Sequence, residues 1–162
     1  MKKAANWYRL AAAQGFASAQ HNLASLYYQG RGILQNYGEA IKLYRLAAEQ
    51  GHLGAANNLG LMYKEGKGVP QNYPEAIKWY GLAAKQGNAF AQSNLGTMFL
   101  ISSDSIDFVK AYMWYAIGAS NNSEIARKNR DRLAEEMTPA DISKAQAMAR
   151  ECMNSGYAKC GY

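Results

Sequence analysis

A chain of 162 residues, 49% hydrophobic and 19% charged, is long enough for one domain with a real core and too apolar to stay disordered. Only three prolines beside abundant alanine favour an all-α chain. A net charge of +6 admits an anionic partner without demanding nucleic acid, and no stretch approaches the ~20 apolar residues that cross a membrane, so membrane insertion is not expected.

The N-terminus opens Met-Lys-Lys, which superficially suggests an export signal. Arg9 interrupts the apolar part, and the same segment recurs twice downstream, so it is read as part of the fold. The compartment stays open: cytoplasmic, or periplasmic or secreted if a signal has been removed. Residues 5–40 align with 41–76 without a gap, identical at half of the 36 positions. Residues 77–100 then match 41–64 at 13 of 24 positions. Tyr8, Tyr44, Tyr80 and Tyr115 mark the register, the last after a linker one residue shorter. Such a period signals stacked supersecondary units, none of which buries its apolar face alone.

Each unit reads as two helices. In the second, Asn36 stands three before Glu39, a spacing for a reciprocal capping box, and helix A runs about 37–49 with Ala40, Leu43, Tyr44, Ala47 and Ala48 as its apolar stripe. Gly51 ends it, as Gly15 and Gly87 end its sisters. Helix B runs about 53–64 with Ala55, Leu59, Met62 and Tyr63 inward; Gly60 and Gly96 allow close helix approach. Gly66-Lys67-Gly68 turns the chain into the next unit, as Gly30-Arg31-Gly32 does before it. In the third unit Asn72 and Glu75 repeat the cap spacing and Pro74 falls in the first turn. Its closing loop reads Ser102-Ser103-Asp104 and is expected to differ in shape. Residues 122–136 read as a degenerate fourth helix B. Thr138-Pro139 then starts a final helix over about 139–154, with Ile142, Ala145, Met148, Ala149 and Cys152 on its apolar side, suited to sealing the array. The units are expected at 1–36, 37–72, 73–106 and 107–136, the clear repeats ending near 119 and residues 120–162 supplying the last helix B, the capping helix and a tail. Cys152 and Cys160 are either bridged, tying the tail to the last helix, or two free thiols.

The strings "LYRLAAEQGHLGAANNLGLMYKEGKGVPQNYPEA" and "WYGLAAKQGNAFAQSNLGTMF" resemble the Sel1-like repeat, a relative of the tetratricopeptide repeat built on about 36 residues. The stretch "ARKNRDRLAEEMTPADISKAQAMAR" is similar to the closing segment of many bacterial Sel1-like proteins. The resemblance implies a right-handed α-α superhelix with a concave face lined by helix A. It also implies a protein-binding adaptor or scaffold role, often in bacterial signalling, envelope processes or host contact.

No catalytic constellation emerges. His21 and His52 have no partner at ligand spacing, no serine sits in a nucleophile elbow, and Glu39 and Glu75 are accounted for by capping. Neither an enzyme nor a cofactor is expected. Two sets of residues are candidates for holding a partner. Off the core stripe of helix A lie Arg9, then Lys42, Arg45 and Glu49, then Lys78 and Lys85: five cations against one acid. They form either a basic track for an acidic peptide or carboxylate end, or ordinary solvated surface. Asn22, Asn58 and Asn94, with Asn129, occupy one place in every helix B. They form either an internal ladder of satisfied amides or, by analogy with related tetratricopeptide domains, a clamp on a partner's backbone. The cations Arg127, Lys128, Arg130 and Arg132 read first as a solvated helix face and otherwise as a nucleic-acid contact, which the packing register of the aromatics does not help. The leading reading is a protein-interaction module; the alternative is RNA binding by a helical-repeat protein through the basic surface, against which stand the Gly-x-Gly loop and the "LAAxQG" pattern, which resemble Sel1-like units and not the pentatricopeptide class. Met1 enters almost directly at helix A, so a monomer or weak end-to-end association is expected.

Overall fold

The computed structural model describes residues 2–102 and 106–161, with side chains from Ala4 onward. The described residues form nine α-helices and no strand: α1 (Lys2–Ala13), α2 (Ala17–Gln29), α3 (Tyr37–Glu49), α4 (Leu53–Glu65), α5 (Tyr73–Ala84), α6 (Ala89–Ile101), α7 (Phe108–Ser120), α8 (Glu124–Ala134) and α9 (Pro139–Asn154). Odd-numbered helices up to α7 are the helices A of the repeat and even-numbered ones are the helices B. The chain divides into two compact units, Met1–Trp79 and Tyr80–Tyr162, with the division inside α5.

Local chemistry sets the helix bounds. Asn36 Oδ1 accepts the Glu39 amide at 3.0 Å, and Asn72 Oδ1 accepts the Glu75 amide at the same distance. The reciprocal half of the capping box is not used. The Asn36 and Asn72 amides instead donate to the carbonyls of Tyr27 and Tyr63, and the glutamates turn to Lys42 and Lys78. Gly15, Gly51 and Gly87 end their helices A at φ of 83–89°, where a side chain would be strained. Helices α2 and α4 end on left-handed Gly30 and Gly66, whose amides return to Leu26 and Met62. Gln35 and Gln71 then donate to the carbonyls of Tyr28 and Lys64, both at 2.8 Å, closing the two loops alike. Gly68 is needed twice over: its φ is 76°, and a Cβ there would lie 2.6 Å from the Tyr37 Cβ. The third loop departs at its first residue, since Ser102 is extended rather than left-handed. Ser103 and Asp104 lie outside the described residues.

In the first unit α2 packs chiefly on α3, with α1 against α2 and α3 against α4. Ala12, Ala19 and Leu23 form a small core sealed by Tyr8, Tyr27, Ile33 and Leu43, so one repeat's loop and the next repeat's helix A close the pair before them. Tyr44, Leu59 and Met62 are fully enclosed. Burying such a side chain contributes about 1.5–3 kcal/mol. In the second unit α7 is central and packs on α6, α8 and α9. Gly96 lets α7 close in, for a Cβ there would meet the Tyr115 ring at 2.8 Å and the Ala111 carbonyl at 3.0 Å. Thr138 caps α9 with Pro139 in its first turn, and Ala145, Ala149 and Cys152 are the buried side of that helix, while Lys144, Arg150 and Glu151 are exposed. Cys152 and Cys160 are joined in a disulfide with Cα atoms 4.6 Å apart. The bridge holds the tail so that the Tyr157 hydroxyl accepts from Asn121 Nδ2 at 3.0 Å.

Candidate partner-binding surface

Helix A buries Ala40, Ile41, Tyr44, Ala47 and Ala48 and turns its remaining side outward. Arg9, Lys42, Arg45 and Lys78 are exposed there, and Lys85 is exposed in the turn just after α5. They are not equivalent. Lys42 Nζ pairs with Glu39 at 2.8 Å and Lys78 Nζ with Glu75 at 3.4 Å, each one helical turn back. The hydrogen bond and charge of Glu39 raise the Lys42 pKa. Pairs so open to water add little to stability and exchange readily for another anion. Arg45 Nη2 donates to the Tyr63 hydroxyl at 2.7 Å, which fixes its guanidinium while leaving the other donors outward. Arg9 Nη1 reaches Asn6 Oδ1 at 3.5 Å.

Arg9 and Arg45 each stand beside a shallow recess. One, about 300 Å³, is lined by Ala5, Asn6, Arg9, Gly32, Ile33 and Leu34; the other, about 440 Å³, by Ile41, Lys42, Arg45 and Leu46. Ala5, Asn6 and Arg9 correspond to Ile41, Lys42 and Arg45 at the 36-residue period, so one helix-A side of each recess repeats with an arginine at its edge, while the further wall comes from Ile33 and Leu34 in the first and Leu46 in the second. Leu34 and Leu46 stand exposed at these walls.

The helix-B asparagines are half-buried and engaged within the protein. Asn58 Nδ2 lies 3.3 Å from His21 Nε2, and its side chain also bonds the Tyr44 hydroxyl. Tyr44 Oη meets Ser25 Oγ at 2.9 Å. The second unit repeats the arrangement with Thr97 Oγ1 at 3.0 Å from Tyr115 Oη and Asn129 bonded to that tyrosine. Burial raises both tyrosine pKa values, and their hydrogen bonds oppose the shift. A recess of about 110 Å³ opens beside Tyr44 and one of about 320 Å³ beside Tyr115, where Leu100, Ile106, Phe108 and Arg132 add to the lining. Asn22 bonds His21, and Asn94 likewise has a partner. Within the cation run on α8, Arg127 pairs with Glu124 at 2.9 Å and Arg130 with Asp131 at 2.6 Å. Tyr44, Tyr80, Trp114 and Tyr115 are buried and present no ring to a base.

Three features escaped the sequence. The Arg45–Tyr63 bond joins residues 18 apart whose contact depends on how α3 lies on α4. The tyrosine network was hidden by the shorter third linker, which makes the Ser25-to-Thr97 offset 72 and the Tyr44-to-Tyr115 offset 71. His21 and His52, separate in sequence, stack with ring centroids 4.4 Å apart.

The Sel1 repeat family model matches residues 1–16, 17–52, 54–88 and 89–123, each full match joining a helix B to the helix A that follows it. The crystal structure of a Sel1 repeat protein from Oxalobacter formigenes is similar over 99% of this chain and 65% of that one, at 34% identity and a TM-score of 0.75. That of c5321, a protective antigen of uropathogenic Escherichia coli with an SLR (Sel1-like repeat) fold, is similar over 95% of this chain and 42% of that one, at 24% identity and a TM-score of 0.68; it shows the fold alone. The chain thus spans less than two thirds of either protein's length. No curated protein matches significantly. Sel1 repeats are generally non-catalytic scaffolds that mediate protein–protein interaction. With four matched repeats and an all-helical solenoid-type architecture, the chain belongs to the Sel1 repeat family.

Proposed function

We propose that this protein is an interaction module without catalytic activity that holds an acidic, aliphatic-rich segment of a partner protein along the outward side of its helices A. The observation that carries this reading is that equivalent arginines, Arg9 and Arg45, each edge a recess with an aliphatic wall. An extended segment alternating carboxylate and aliphatic side chains suits both parts, the guanidinium taking the carboxylate in a forked pair and the wall taking the apolar side chain. Lys42 beside Arg45, and Lys78 and Lys85 on the next helix A and the turn that ends it, supply further positive charge, which speeds encounter and selects sign more than it adds affinity. Asn22, Asn58 and Asn94 support this surface from within by holding the helices B in place.

Fluorescence anisotropy with labelled 15-residue peptides tests the reading. Leu–Glu peptides are expected to bind at least about tenfold tighter than Leu–Gln or Leu–Lys peptides, and Lys42→Glu/Arg45→Glu to remove most of that preference while circular dichroism stays unchanged. Equal binding of the three peptides, or full retention of the preference in the double variant, would overturn it.

A further inference from the structure

Four helices B begin with a residue at the same repeat register: Phe16, His52, Asn88 and Ser123. Asn88 Oδ1 accepts the Ala91 amide at 2.9 Å and Ser123 Oγ the Ala126 amide at 3.2 Å, while Phe16 makes no side-chain cap. At the start of α4 the acceptor is an imidazole: His52 Nδ1 takes the Ala55 amide at 3.1 Å. Of the three side-chain caps among them, it is the one made by a ring nitrogen that can serve as acceptor or as donor. The bond requires a lone pair on Nδ1, so the ring must be neutral with its proton on Nε2.

The neighbouring ring obeys the same condition. His21 on α2 stacks on His52 with an interplanar angle of 18°. Its Nε2 faces Asn58 Nδ2, an amide nitrogen that can only donate, so His21 also needs a free lone pair at that atom. The groups facing the pair are Tyr44 from α3, with its ring centroid 5.6 Å from that of His21, Asn58 from α4, and Asn22 beside His21 on α2. The charge acting on His21 is that of His52.

We propose that the stacked His21–His52 pair is an acid-sensitive latch, closing the first turn of α4 while both rings are neutral and releasing it when they take up protons. A proton taken from solvent onto His52 Nδ1 turns the acceptor into a donor aimed at a donor. It also sets a positive charge at the positive end of the helix dipole. A second proton on His21 removes the acceptor for Asn58 and puts two cations face to face. Because Asn58 also bonds Tyr44, and Tyr44 bonds Ser25, the release reaches the recess beside Tyr44.

The direction of the pH dependence follows from His21. Burial, then the charge of His52, hold its pKa below the ordinary histidine value. As pH falls, the unfolded chain therefore binds protons first. The contribution of His21 is complete above its unfolded value of about 6.5 and is lost below it, down to the pH at which the folded ring is itself protonated.

Amide hydrogen exchange read by NMR, corrected for intrinsic rates, tests the proposal in the intact chain. The Ala55 amide is expected to lose protection about tenfold between pH 7.5 and 5.5, the factor that a helix N-cap commands. The Ala91 amide, capped by Asn88, serves as a control in the same molecule and is expected to hold. His52→Asn, which installs the acceptor found at position 88, is expected to keep Ala55 protected at both pH values. Constant protection of Ala55 in the unaltered protein, an equal loss at Ala91, or an undiminished pH response in His52→Asn would each overturn the latch.

Discussion

Trp7, Leu43, Trp79 and Trp114 stand at one register of helix A, yet Trp7 is 72% exposed and Trp114 is wholly buried. Leu43 explains the difference, because it packs on Ala12, Ala19 and Leu23 of the helix pair before it. No pair precedes α1 among the described residues, whereas Trp114 belongs to α7, which has α6, α8 and α9 around it. A repeat therefore prescribes which side chain points where, and the neighbouring helices decide what that side chain is worth.

The widest separation expected from this contrast comes from cutting both tryptophans back to alanine. Trp114→Ala should cost about 3–5 kcal/mol in urea denaturation, and Trp7→Ala less than about 0.5 kcal/mol. Similar losses would break the comparison by showing that register rather than surroundings governs stability. A smaller effect sharpens it at the α6–α7 contact. Gly96→Ala should cost about 1–3 kcal/mol, because the added carbon meets the Tyr115 ring and the Ala111 carbonyl; an unchanged midpoint would mean that α7 shifts freely.

Smaller still is the tyrosine network, which the two units share. Tyr44→Phe leaves Ser25 and Asn58 without the hydroxyl between them, and Tyr115→Phe does the same to Thr97 and Asn129. Each substitution should cost about 0.5–1.5 kcal/mol, measured the same way. A loss confined to one unit would show that the network is not a common element of the repeat.

Much of the fold was legible because its signals are local. Helix α3 spans the stretch predicted from Asn36 and Gly51, and α9 begins and ends where Thr138-Pro139 and its amphipathic period place it. Caps and left-handed glycines act on their own few residues, so the sequence states them directly. Capping roles that depended on a competitor were less legible. Glu39 fits a reciprocal box by spacing, but the Asn36 amide is already taken by the Tyr27 carbonyl, which leaves the carboxylate to Lys42. That Arg9, Lys42, Arg45, Lys78 and Lys85 are exposed was legible from their places off the apolar stripe. That Lys42 is paired, that Arg45 is braced by Tyr63, and that Ile33, Leu34 and Leu46 form walls beside the arginines depend on contacts between elements. The histidine stack belongs to the same class, since its rings come from helices B in successive repeats.

Affinity capture from the native host's extract tests the central claim most directly, comparing the intact protein with a Lys42→Glu/Arg45→Glu/Lys78→Glu/Lys85→Glu variant of equal helicity. The account predicts a protein retained by the intact form and lost by the variant, with an acidic segment that competes when supplied as a free peptide. Retention of the same protein by both forms, or capture of nucleic acid in place of protein, would contradict it.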